Sequence, residues 1–100
     1  MIHAQPFVID GQTAIGIEVK LPKTTLLSIS TDRGYIMCGA LDVGLLNSRL
    51  SDRKIIAARA VGVRTFQELL DAPLESVTAE AEAIGILPGM TGKDALKLMF

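Results

Sequence analysis

The chain has 100 residues, 49% of them hydrophobic, a formal net charge of −1 and a mean hydropathy of +0.40. One hundred residues make one domain and one core, too few for two. The near-neutral charge gives no general attraction to nucleic acid or anionic lipid, and the longest apolar run, Gly34 to Leu41, falls far short of the roughly 20 residues that cross a bilayer.

The first forty residues read as strands. Phe7-Val8-Ile9 runs into Asp10-Gly11, a hairpin signal because Gly tolerates the positive φ of a tight turn. Ile15, Ile17, Val19 and Leu21 then alternate with Gly16, Glu18 and Lys20, the period of a strand with unlike faces. Pro22 ends that strand or puts it at an edge. Leu26 to Ser30 forms a third strand, stopped by Asp32-Arg33-Gly34, and Tyr35 to Gly39 a fourth. Short turns between them favour an antiparallel meander.

After Gly39 the period changes. Asp42 caps a short helix with Leu41, Leu45, Leu46 and Leu50 on one side, weakened by Gly44. Ile55 to Val61 reads as a buried strand interrupted by Arg59. Thr65-Phe66-Gln67-Glu68 is a capping box opening a helix that stops near Asp71. Leu74 to Val77 suggests a brief strand. Thr78 caps a helix over Ala79 to Ile84 with Gly85 at its stop, and Thr91 caps a last helix with Ala95, Leu96, Met99 and Phe100 on its apolar side.

Strands first and helices later predict an α+β fold in which 1–100 form one domain, β-rich over 1–40 and mixed over 41–100. Its plan is a mainly antiparallel N-terminal sheet with short helices packed on one face. The other sheet face then needs a cover. The aliphatic surplus, carried almost without aromatics, also points to exposed apolar patches of the kind that bind partners. A homo-oligomer satisfies both expectations.

Leu21-Pro22-Lys23-Thr24-Thr25-Leu26-Leu27 followed by Gly34-Tyr35-Ile36-Met37-Cys38-Gly39 resembles the YunC-like family, a small prokaryotic domain of unknown function. Val61-Gly62-Val63-Arg64-Thr65-Phe66, Leu69-Leu70 and Gly89-Met90-Thr91-Gly92 with Ala95-Leu96 are similar to its later segments, in the same order. The resemblance implies a two-layer α/β sandwich whose N-terminal β region mediates assembly into a homotetramer. It implies no activity.

Few residues offer chemistry. Cys38, the one cysteine, stands at a strand end; with Lys23 or Arg33 stabilising a thiolate it would be a nucleophile or redox sensor. A free Cys is more commonly a small buried hydrophobe, and Ile36 and Cys38 share a strand face. Lys23, Thr24 and Thr25, after the rigid Pro22, offer a cation and two hydroxyls to a carboxylate or phosphate, although polar residues at a turn are commonplace. Gly89-Met90-Thr91-Gly92-Lys93 departs from the phosphate-loop pattern: Leu87 stands where its first Gly belongs and Asp94 where its hydroxyl belongs.

No cofactor or metal is expected. His3 has no companion at ligand spacing, and one Cys makes neither a disulfide nor a multi-Cys zinc site, which suits a reducing compartment. The start of the chain lacks the pattern of a signal peptide, and the cytoplasm is the expected location. Residues 49–64 carry Arg49, Arg53, Lys54, Arg59 and Arg64 against Asp52 alone, while 65–100 are acidic. The basic segment has no interleaved aromatics beyond which bases would stack, so no nucleic-acid partner is expected.

Two functions follow as expectations. The first is a non-catalytic homo-oligomeric module that binds a small ligand, an anion being the candidate, or a protein partner. The second is a thiol-dependent enzyme or sensor using Cys38.

Overall fold

The computed structural model describes residues 1–48 and 51–100, with the side chain of Ser51 also outside the description. Six strands form one sheet in chain order: β1 (Ile2–Ile9), β2 (Gln12–Leu21), β3 (Thr24–Ser30), β4 (Gly34–Met37), β5 (Ile56–Arg59) and β6 (Ser76–Val77). Among the described residues four short α-helices accompany it: α1 (Val43–Ser48), α2 (Phe66–Asp71), α3 (Ala79–Ala83) and α4 (Gly92–Lys97). The α+β expectation holds, with the mainly antiparallel sheet at its front.

The turns are those the residues dictate. Asp10 (φ 53°) and Gly11 (φ 78°) both enter the left-handed region between β1 and β2, as a two-residue hairpin of type I′ requires. β1 begins at Ile2, well before Phe7, and pairs with β2 along its whole length from Ile2 opposite Val19 to Ile9 opposite Gln12. It is one of the two edge strands, where Pro6 is tolerated because its missing N–H can face outward. The β4 to β5 pairing is parallel, from Gly34 opposite Ile56 to Met37 opposite Arg59, and the stretch containing α1 supplies the crossover such a pair needs.

Helix starts follow their caps. Asp42 Oδ1 accepts the Leu45 amide at 3.0 Å, although Leu50, expected on the apolar side of this helix, lies outside the described residues. The Thr65, Thr78 and Thr91 hydroxyls accept the amides of Glu68, Ala81 and Asp94. The capping box is shifted by one residue: the Glu68 carboxylate accepts the amide of Arg64, not of Thr65, at 2.7 Å.

Strand alternation separates two sheet faces. Phe7 and Ile9 of β1, Ala14 of β2, Leu27 and Ile29 of β3 and Ile36 of β4 pack with Leu69, Leu70, Ala95, Leu96 and Met99 in the core. The glycine at 16 makes room for aromatic packing there, since a Cβ would stand 2.6 Å from Phe7 and 2.8 Å from Phe66. Those two rings meet edge to face at 5.2 Å.

The opposite face of the first hairpin carries Ile2, Ala4, Pro6 and Val8 of β1 paired directly with Val19, Ile17, Ile15 and Thr13 of β2. Directly opposite residues point the same way, so this is one continuous aliphatic surface. None of its residues joins the core. Ile2 and Val8 are each 72% exposed and Ile15 is 42% exposed.

Candidate functional site

The turn between β2 and β3 holds Lys23 in the left-handed region, φ 62°. Pro22 pre-sets the first turn position, and the second then requires positive φ, a place that Gly or Asn fills most cheaply. A lysine there carries a conformational cost of roughly 1–2 kcal/mol. The loop that enters α2 bends at Gly62 (φ 74°) and approaches this turn. Together they bound an open cleft of about 540 Å³ lined by Lys23, Thr24, Thr25, Gly62, Val63 and Arg64.

Thr24 and Thr25 open β3, and tight pairing of Leu21 with Thr24 and Lys20 with Thr25 anchors them to β2. Arg64 stands just before the cap of α2, its backbone fixed by the Glu68 carboxylate. Among the described residues the ion pairs are Arg59 with Glu75 and Lys97 with Asp94, so neither Lys23 nor Arg64 is partnered by an acid there. The cleft therefore presents two cations, a threonine hydroxyl and a glycine-containing backbone. Such a set suits an oxyanion.

The structure thus gathers Lys23, Thr24 and Thr25, and adds Gly62, Val63 and Arg64 to them. Arg33 is elsewhere. It sits in the β3–β4 turn, at the far end of a seven-residue strand, on the order of 20 Å along the sheet. Its guanidinium donates to the Phe100 carbonyl at 2.9 Å, and it lines a second, shallower cleft with Arg53, Lys54 and Tyr35.

Cys38 belongs to the core. It lies one residue past β4, 6% exposed, and exchanges backbone contact with mid-β3: its amide donates to the Leu27 carbonyl at 3.0 Å. Its Sγ accepts the Leu27 amide at 3.5 Å. It lines neither basic cleft. Gly92, too, has a packing role: a Cβ there would collide with the Leu69 carbonyl and stand 2.8 Å from Ile36, so this glycine lets α4 press against α2.

His3 takes its place beside Phe66, ring centroids 6.5 Å apart. Among the described residues no group of three His, Cys, Asp or Glu side chains is placed to hold a metal, and no helix is long and apolar enough to cross a membrane.

The chain is 57% identical over 99 residues to the uncharacterized protein YunC of Bacillus subtilis (strain 168), covering 99% of this chain and 98% of that one. Its fold matches the crystal structure of a protein of unknown function from Thermoplasma acidophilum with a TM-score of 0.90 and 28% identity, over 100% of this chain and 94% of that one. Residues 37–99 match the family described as a domain of unknown function, DUF1805, and the chain belongs to that family.

Proposed function

We propose that this protein is a non-catalytic homo-oligomeric module, with copies covering the open face of one another's first hairpin and a small ligand bound by the assembly. The observation that carries this reading is the aliphatic surface of β1 and β2: among the described residues, Ile2, Ala4, Pro6, Val8, Ile15, Ile17 and Val19 share one face of the hairpin and none of them joins the core. Water against such a surface is unfavourable by roughly 25 cal/mol for each Å², and a second copy, which brings the same surface, removes it by an isologous contact. The tetramer implied by the family resemblance is the assembly that this reading adopts. A buried lone Cys38 suits a reducing compartment, and the cytoplasm is the proposed setting.

Light scattering after size exclusion tests the assembly. At micromolar concentration the expected mass is a multiple of 10.7 kDa, a tetramer being the proposed state. Ile15→Lys with Val8→Lys, both at exposed positions, is expected to return a folded monomer. A wild-type monomer refutes the reading.

The alternative, a thiol-dependent enzyme or sensor, would require Cys38 to meet a cation and solvent. Its burial and its separation from Lys23 and Arg33 favour the binding module.

A further inference from the structure

We propose that the cleft between the β2–β3 turn and the loop entering α2 binds the phosphate group of a small phosphate monoester. This goes beyond self-assembly and names the chemistry of the ligand.

Four observations converge. First, two cations from distant parts of the chain, Lys23 and Arg64, line the same cleft, and neither has an acidic partner among the described residues. The nearest carboxylate in sequence to Arg64 with a defined role, Glu68, is engaged by the Arg64 amide at 2.7 Å. Second, Thr24 and Thr25 line the same cleft, and because consecutive strand residues send their side chains to opposite faces, one threonine hydroxyl supplies a neutral donor beside the charges. Third, Lys23 occupies a φ of 62° where Gly is cheaper, so the turn keeps a cation at a conformational cost. Fourth, the volume of about 540 Å³ lies within the range of small-molecule sites and exceeds what a bare ion fills.

Charge decides between oxyanions. A phosphate monoester carries about −1.5 to −2 at neutral pH and balances two cations; a monocarboxylate leaves one of them uncompensated. Lys supplies a compact point charge and Arg a planar fork, a pairing suited to the several oxygens of a phosphate. The lining holds no aromatic ring on which a nucleobase would stack, so the carbon skeleton it fits is polar.

The test is titration of the whole chain with glycerol 3-phosphate, inorganic phosphate and acetate, followed by amide chemical shifts. The expected result is millimolar or tighter binding of glycerol 3-phosphate, with shifts centred on Thr24, Thr25, Gly62 and Val63. Acetate is expected to bind at least about fivefold more weakly. Lys23→Gly, which suits the positive φ and keeps the turn, and Arg64→Gln are each expected to weaken binding about five- to tenfold. Arg33→Gln, in the second basic cleft, is expected to leave it unchanged. Shifts centred on Arg33, Arg53 and Lys54, wild-type affinity in both cleft variants, acetate binding as tightly as the ester, or no response at millimolar ester would each overturn the assignment. Light scattering on the same samples reads the assembly separately, so failure of the ligand site and failure of self-association are distinguishable.

Discussion

The Thr78 hydroxyl donates to the Ile55 carbonyl at 2.7 Å and so ties the start of α3 to the approach of β5. The same oxygen accepts the Ala57 and Ala81 amides, each at 3.2 Å. Thr78 is 2% exposed, and one side chain thereby serves as helix cap and as a strand clamp. Thr78→Val keeps the shape and strands three backbone groups. Loss of a cap costs about 1 kcal/mol and a buried unsatisfied group about 1–3. A destabilisation of about 2–4 kcal/mol is expected, read as a lower urea midpoint at constant slope. Thr78→Ser, which retains the hydroxyl, should lose no more than about 1.5 kcal/mol. Equal losses in the two variants would mean that the methyl, not the hydrogen bonding, matters.

Two glycines on helices should respond in opposite directions. Gly92 is buried at the start of α4, where a methyl group meets the Leu69 carbonyl and Ile36. Gly92→Ala is expected to destabilise by about 1–3 kcal/mol through overpacking. Gly44, exposed in α1, has only the Asp42 carboxylate at 3.4 Å from a would-be Cβ. Gly44→Ala is expected to stabilise by up to about 1 kcal/mol, the difference in helix propensity. Thermal unfolding of the pair checks both signs.

Much of this architecture is legible in the residues because its signals are local. Asp10-Gly11 marks the first hairpin, the alternation from Ile15 to Leu21 marks β2, and threonines at 65, 78 and 91 mark three helix starts. The early part of β1 is harder to see: His3 and Gln5 put polar groups on the helix-facing side, while Ile2, Ala4, Pro6 and Val8 put apolar ones on the open side. That inverts the usual sense of an alternating strand and reads as an irregular start. The parallel partnership of β4 and β5 is a tertiary fact, although the uninterrupted apolar character of Ile55 to Ala58 is what a strand buried on both faces carries. Half of the cleft was legible for the same reason of locality. Lys23, Thr24 and Thr25 are consecutive, whereas Arg64 reaches them only after the sheet and α2 have formed. Its place just before a capping box was the available signal, but a charged residue before a helix is far too common to mark a site.

Lys23→Gly offers a second reading besides ligand affinity. The lysine backbone at φ 62° is strained by roughly 1–2 kcal/mol, while Gly adds about 0.5–1 kcal/mol of chain entropy to the unfolded state. The net expectation is a variant more stable than wild type by up to about 1 kcal/mol, measured by urea unfolding without ligand. Lys23→Ala removes the same charge but keeps the strain, and should show no such gain. A residue kept at the expense of stability is the pattern of function. If Lys23→Gly proves clearly less stable than wild type, the lysine has a structural role in the turn and this argument falls.

Cys38 should resist modification in the native protein. It is 6% exposed, and its sulfur faces the Leu27 amide at 3.5 Å within the packed core. A reagent reaches it only when the end of β4 separates from β3, so alkylation at neutral pH should be slower than for a model thiol by a large factor and should recover full speed in denaturant. Cys38→Ala removes a buried sulfur and leaves a small void, for an expected loss of about 1–2 kcal/mol with the assembled mass retained. Cys38→Ser places a hydroxyl among Ile36, Leu27 and Ala60 and should cost at least as much, since a buried hydroxyl needs partners that this part of the core supplies only through the Leu27 amide. Fast alkylation of the folded protein would instead expose the thiol to solvent and restore the thiol-dependent reading over the binding module.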